Sequence, residues 1–124
     1  MTGKHFLLDT NIFINAIHQK LKLPAAHYSY SVITELELLG FPRLSTTDEQ
    51  AIKSFLGQLT RIELNEQVRQ ETIRIRRSLQ IKLPDSIISA SAVIAGATLV
   101  TDDSKLAQNH NGSAISLAEL VKHS

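Results

Sequence analysis

The chain of 124 residues contains no cysteine. A disulfide framework, a thiolate zinc site and a cysteine nucleophile are thereby excluded. An excess of charge is missing as well: thirteen Lys and Arg oppose twelve Asp and Glu, a net of +1. Taken as an average, that balance speaks against a protein that holds nucleic acid by bulk charge. No apolar run approaches the roughly 18 residues of a membrane span. Only Phe6, Leu7 and Leu8 are apolar in the stretch just before Asp9, too few for the hydrophobic centre of a signal peptide. The expectation is a soluble, cytoplasmic protein with no membrane partner. Neither G-x-G-x-x-G nor G-x-x-x-x-G-K occurs, so the glycine-rich nucleotide loops are absent. There is no internal repeat, low-complexity tract or linker. What is present is ordinary for a globule: 43% hydrophobic and 20% charged residues argue against disorder. The length fits a single domain spanning residues 1–124, since domains commonly run about 100–150 residues.

Along the chain, strand-like and helix-like patterns alternate. Phe6–Leu8 reads as a short buried strand ending at Asp9, and residues 11–20 follow with apolar positions three or four apart (Ile12, Phe13, Ala16, Ile17). His27–Tyr30 is a weak strand. Ser31–Leu39 is a helix stopped by Gly40 and Pro42. A helix beginning near Thr46, a strand over Arg61–Leu64 and a helix from Glu66 to about Gln80 complete the first part. The second begins with Leu83-Pro84-Asp85 and a small-residue helix over Ser86–Ala95. A strand over Thr98–Thr101 then stops at Asp102-Asp103, and a short helix, a brief strand near Ala114-Ile115 and a last helical turn close the chain. This alternation predicts an α/β fold with a mainly parallel sheet. Strands buried on both faces are apolar throughout, as Phe6–Leu8 and Leu99-Val100 are.

Ligands of open parallel sheets bind beyond the carboxyl ends of the strands. Asp9, Asp102 and Asp103 stand at two such ends, and Asp85 opens a helix that can reach the same edge. Each also precedes a helix and suits an N-cap. Within Ser31–Leu39, about 100° per residue places Val32, Leu36 and Leu39 on a core stripe. Glu37 then falls on the wet side near Thr34, and Glu35 at the border of the buried face. Carboxylates gathered at one edge repel one another and stay ionised if a divalent cation sits among them. Oxygen-only donors select hard ions such as Mg²⁺ or Mn²⁺, which serve phosphoryl chemistry.

These residues resemble a family. Phe6-Leu7-Leu8-Asp9-Thr10-Asn11, Ser31-Val32-Ile33-Thr34-Glu35-Leu36, Leu83-Pro84-Asp85-Ser86 with the small-residue helix that follows, and Thr101-Asp102-Asp103-Ser104-Lys105-Leu106 are similar, in order and spacing, to the motifs of PIN-domain ribonucleases of the VapC toxin type. The match spans essentially the whole chain; Leu106 stands where the family often has Phe. The resemblance implies a PIN-like three-layer fold, a central sheet flanked by helices. It implies a Mg²⁺- or Mn²⁺-dependent endoribonuclease with Asp9, Glu35, Asp85 and Asp103 as both catalytic residues and metal ligands. Thr10 and Asn11 would support the first carboxylate, Ser31 or Thr34 would play a similar part, and Asp102 is an ambiguous neighbour of Asp103. Water oriented by the carboxylates would attack phosphorus in line, leaving 5′-phosphate and 3′-hydroxyl ends. The implied partners are the RNA substrate, a VapB-type antitoxin and a second copy of the chain in a homodimer, or a hetero-oligomer with the antitoxin.

Two further readings come from the residues. Between Arg61 and Lys82 lie six basic residues against three acidic ones, and Arg69, Arg74, Arg76 and Arg77 are candidates for contact with RNA or antitoxin, or form an ordinary solvated helix face. The five histidines, His5, His18, His27, His110 and His123, show no metal-ligand spacing and are read as structural or surface groups. The alternatives to a nuclease are a catalytically weak PIN-fold subunit that binds RNA or protein, and another metal-dependent phosphohydrolase. Asp9-Thr10-Asn11 lacks the paired aspartates of a haloacid-type phosphatase.

Overall fold

The computed structural model describes residues 4–122; His123 and the other terminal residues lie outside the described range. The elements are β1 (His5–Leu8), α1 (Thr10–Gln19), β2 (His27–Ser31), α2 (Val32–Leu39), α3 (Thr46–Leu56), β3 (Thr60–Ile62), α4 (Glu66–Ser78), α5 (Leu83–Ala95), β4 (Thr98–Val100), α6 (Ser104–Asn109), β5 (Ala114–Ile115) and α7 (Leu117–Lys122). The five strands form one sheet in the order β3-β2-β1-β4-β5. Every pairing is parallel, so the sheet is wholly rather than mainly parallel. No described helix is long and apolar enough to cross a membrane.

Strand side chains alternate between faces, and that splits the core in two. Phe6, Leu8 and Val100 join Ile12, Phe13, Leu38, Ile52 and Leu120 on one side. Leu7 and Leu99 join Val68, Ile75, Ile88, Ala90 and Leu106 on the other. The result is helix, sheet, helix: three layers, as the alternation of apolar strands and amphipathic helices requires.

The helix α5 is buried along almost its whole length, from Ser86 to Ala92. Its small side chains let it pack between the sheet and α4. Two of the serines in that core satisfy themselves locally: Ser86 Oγ donates to the Lys82 carbonyl at 2.9 Å and Ser91 Oγ to that of Ile87 at 2.7 Å. The helix ends at Gly96, whose φ of 68° is costly for a residue with a Cβ. The turn feeds the chain directly into β4.

The helix phase of α2 departs from the sequence expectation. Thr34 and Leu38 are its buried residues, whereas Leu36, expected in the core stripe, is 60% exposed. Thr34 tolerates burial because its hydroxyl bonds that of Thr10 at 3.0 Å. The helix is apolar on several sides, so hydrophobicity alone does not fix its rotation.

His110, at the C-terminus of α6, is buried and shares a hydrogen bond of 2.6 Å between its Nδ1 and Ser89 Oγ on α5. Burial lowers its pKa below the ordinary value of 6.5. A lowered pKa means that, as pH falls below about 6.5, the unfolded chain takes up a proton that the folded chain refuses, so stability contributed above that pH is lost toward the folded pKa. His110→Asn keeps an acceptor near the Nδ1 position and removes the titration. In thermal melts between pH 7.5 and 5.5, the variant is expected to lose less stability than the parent chain; parallel profiles would refute this account of His110.

Candidate active site

Strands β2 and β3 run outward from β1 in one direction, and the chain then returns to place β4 on β1's other side. The point between β1 and β4 is therefore a topological switch, where a crevice opens beyond the strand ends. In-register pairing sets Leu8 against Val100, which brings the next residues, Asp9 and Thr101, together.

Asp9 is only 5% exposed, and both of its oxygens are held. Thr101 Oγ1 donates to Oδ2 at 2.8 Å and the Thr10 backbone N–H donates to Oδ1 at 2.7 Å. Thr101 Oγ1 in turn accepts from the Asp103 backbone N–H at 3.1 Å. One hydroxyl thus locks the end of β1 to the loop after β4. Thr101 belongs to the quoted motif but was not among the candidate site residues. Its signal was position: a small hydroxyl residue at a strand end opposite a buried aspartate.

Around Asp9, an open cleft of about 360 Å³ is lined by Thr10, Asn11, Glu37, Asp85 and Asp103 among others. Three of the expected carboxylates, Asp9, Asp85 and Asp103, are therefore brought together. Asp103 caps α6 through Oδ1, which accepts from the Leu106 N–H at 3.1 Å. Asp85 does not act as a cap: the N-cap of α5 is Lys82, and Pro84 and Asp85 lie in the first turn. Burial is the largest cause of raised pKa values at both Asp9 and Asp85. Neighbouring carboxylates push the same way, Asp85 and Asp103 on Asp9, and Asp103 and Glu37 on Asp85.

Glu35 is the correction. It lies outside the cleft and forms an ion pair at 3.1 Å with Arg61 Nη1 of β3. Arg61 also binds Glu63. The carboxylate that α2 delivers to the cleft is Glu37, which accepts a hydrogen bond of 2.7 Å from Thr10 Oγ1. Since Thr10 has one hydroxyl proton and gives it to Glu37, the Thr34 hydroxyl donates to Thr10. The reason is rotation: two residues along a helix are about 200° apart, so burying Thr34 and Leu38 turns Glu37 toward the cleft and Glu35 toward β3.

The remaining candidates divide. Thr10 and Asn11 line the cleft. Ser31 is fully buried and caps α2, accepting from the Ile33 N–H at 3.2 Å. Asp102 faces away, its Oδ1 accepting from the Leu117 N–H at the start of α7. The arginines of α4 are largely occupied by their own surroundings. Arg69 donates to the Leu64 carbonyl, Arg76 to that of Ile81, and Arg74 pairs with Glu71. Arg77 is in no ion pair among the described residues.

Asp9, Glu37, Asp85 and Asp103 form no ion pair among the described residues. Their donors are all oxygen, which suits a hard divalent cation. No three described carboxyl or imidazole groups close into a cage for an ion.

Residues 6–111 match the family model of the PIN domain. Among solved structures, the chain is similar to DNA-bound VapBC from Salmonella typhimurium (24% identity, TM-score 0.79, 90% of this chain and 96% of that one). It is similar to VapBC2 from Rickettsia felis bound to a promoter DNA fragment (21%, 0.77, 90% and 98%). A third likeness is to a toxin-antitoxin complex from Klebsiella pneumoniae (27%, 0.69, 82% and 88%). No curated protein matches the sequence.

Thr101→Val removes the hydroxyl that joins Asp9 to the Asp103 backbone and leaves a buried carboxylate oxygen without its donor. At pH 7 the variant is expected to lose about 1–3 kcal/mol of unfolding free energy in urea titrations, with a smaller loss near pH 3.5, where Asp9, whose pKa is raised, carries a proton. An unchanged midpoint at pH 7 would show that Thr101 does not support Asp9.

Proposed function

The chain belongs to the PIN domain family, and from that premise we propose that it is a metal-dependent endoribonuclease, the toxin of a VapBC-type toxin–antitoxin pair. The observation that carries this reading is the convergence of Asp9, Glu37, Asp85 and Asp103 on one cleft at the switch point of the sheet. Four acids without an ion-pair partner among the described residues are costly to hold together unless the site serves a cation.

Mg²⁺ or Mn²⁺ would be held by these carboxylates, with Glu37 in the place first given to Glu35. When bound, the ion supplies charge stabilisation at phosphorus and a water of lowered pKa. The protein's part is orientation. Thr101 and the Thr10 N–H fix both oxygens of Asp9, and Thr10 Oγ1 fixes one oxygen of Glu37. Asp103 spends one oxygen on α6 and keeps the other for the cleft. Asp85 lines the cleft and is in no ion pair among the described residues, which leaves its carboxylate available to the ion. In-line attack at phosphorus leaves 5′-phosphate and 3′-hydroxyl ends. The toxin assignment is supported by neighbours that are VapBC and toxin-antitoxin complexes. A VapB-type antitoxin is the partner it implies, and assembly as a homodimer or with the antitoxin belongs to the same reading.

Glu37→Gln is expected to lower Mg²⁺-dependent cleavage of RNA by about 100-fold or more, the scale of a lost ligand or its support, whereas Glu35→Gln stays within a few fold of the parent chain. The reverse ranking in an RNA cleavage assay would restore Glu35 to the site.

Asp85→Asn tests the cation without relying on turnover. Because the Asp85 pKa is raised in the fold, its ionised form destabilises the fold at every pH above the ordinary value of 3.8. In EDTA at pH 7, the variant is expected to melt above the parent chain. Adding Mg²⁺ raises the parent's Tm and moves the variant's less. A parent Tm indifferent to both Mg²⁺ and Mn²⁺ would defeat the metal assignment.

A further inference from the structure

A polyanion approaching the cleft meets Asp9, Glu37, Asp85 and Asp103 first. Beyond the ion, basic side chains near the cleft would hold the phosphates on either side of the reacting one. Three of the four candidate arginines of α4 are poor suppliers, since Arg69, Arg74 and Arg76 are each engaged by a carbonyl or carboxylate of their own neighbourhood.

Two lysines are better placed. Lys82 is the N-cap of α5, three residues before Asp85, and Lys105 lies in the first turn of α6, two residues after Asp103. Both are exposed. Both act electrostatically on Asp85, where they oppose the upward push of Asp103 and Glu37. Yet neither forms an ion pair with any described carboxylate. Lys82 and Lys105 thus flank Asp85 and Asp103 along the chain with no described carboxylate paired to them.

Their positions also break a local rule. N-caps favour Ser, Thr, Asn and Asp, and Lys82 gives α5 no side-chain cap bond. A cation at a helix N-terminus further opposes the helix dipole. The chain obeys the rule elsewhere, with Asp9, Ser31, Ser45, Asn65 and Asp103 capping α1, α2, α3, α4 and α6. Departures of this kind are found at functional sites.

We propose that Lys82 and Lys105 form a cationic rim on the acidic cleft and contact the phosphates of RNA next to the bond that is cut. This rests on the ribonuclease reading above and assigns to these lysines the substrate contact first sought on α4. Lysine suits the role: a compact charge on a flexible stem binds phosphate without demanding bidentate geometry.

The test uses the full chain, a fluorescein-labelled single-stranded RNA oligonucleotide as probe, and the pair of substitutions Lys82→Ser and Lys105→Gln. Initial rates in Mg²⁺ are measured across a range of NaCl concentrations, and Tm is measured alongside. The expected result is a fall in kcat/KM of about 10-fold at low salt. The salt slope should become shallower by about 1.4, two contacts at ~0.7 each for a single strand. Lys82→Ser alone should raise Tm, because serine caps α5. That combination, a more stable protein that holds RNA less well, is not produced by a structural role. Unchanged kcat/KM and salt slope would overturn the rim while leaving the ribonuclease reading intact. A fall in kcat/KM with an unchanged salt slope would overturn it too, since phosphate contacts would not then be lost. Unchanged cleavage with weaker inhibition by a polyglutamate peptide would assign the lysines to an acidic protein partner and overturn the RNA contact. A parent chain that neither cleaves nor binds RNA would defeat the ribonuclease reading itself, and the rim with it.

Discussion

The buried carboxylate of Asp9 is the constraint around which the site is built. A carboxylate 5% exposed, beside other acids, is unfavourable in an apolar fold unless donors hold it. The fold provides two, and both come from the sheet's own connections. The Thr10 N–H is available because α1 begins immediately after β1. Thr101 arrives because β4 pairs with β1 in a register that aligns the strand ends. Moving β4 by one residue would turn Leu99 and Val100 to the wrong layers and would also take Thr101 from Asp9. Core and site therefore fix the same register, and neither can drift without the other.

The small-residue helix α5 matters for a related reason. Ala90, Ala92 and the buried serines let it sit deep between sheet and α4. Its first turn, with Asp85, then lies at the mouth of the crevice rather than beyond it. A bulkier helix face would push Asp85 outward, where its charge would be solvated and its pKa no longer raised by burial. Close packing in the core is thus converted into electrostatic tension at the edge, the condition under which a divalent cation gains most from binding.

The fold and most of the site were legible because strand ends are legible. Phe6–Leu8 and Leu99-Val100 announce buried strands, and an aspartate that interrupts such a run has few places to be except the carboxyl edge. Asp9 and Asp103 could be placed on that ground, whereas Asp85, in the first turn of α5, was placed by the resemblance of Leu83-Pro84-Asp85-Ser86 to a family motif. The choice between Glu35 and Glu37 could not, because α2 offers apolar residues on several faces and the stripe Val32, Leu36, Leu39 was as acceptable by period as the one that is used. The structure decides it through a polar residue. Thr34 is buried by pairing with Thr10, an interaction between residues 24 positions apart that no local pattern encodes. Asp102, Arg69 and Arg76 are turned to other partners, the backbone groups of Leu117, Leu64 and Ile81, while Arg74 pairs with Glu71 one turn away on its own helix.

The near-neutral total charge takes on a different meaning once the charges have positions. A net of +1 does describe the protein seen from far away, where screening over about 10 Å erases detail. At the cleft the relevant sum is local and negative, and it is Glu35, not Glu37, that pairs with Arg61, which it shares with Glu63. One glutamate of α2 ties the edge strand to the helix while the other, about 200° around the axis, joins the acids. Pairing Glu35 with Arg61 therefore does more than satisfy a surface charge. It gives the face of α2 opposite the cleft a fixed attachment, and with Thr34 and Leu38 buried between them it leaves Glu37 one direction in which to point. The same helix carries a carboxylate paired to the edge strand and an unpaired one at the cleft, and only the rotation of the helix distinguishes them.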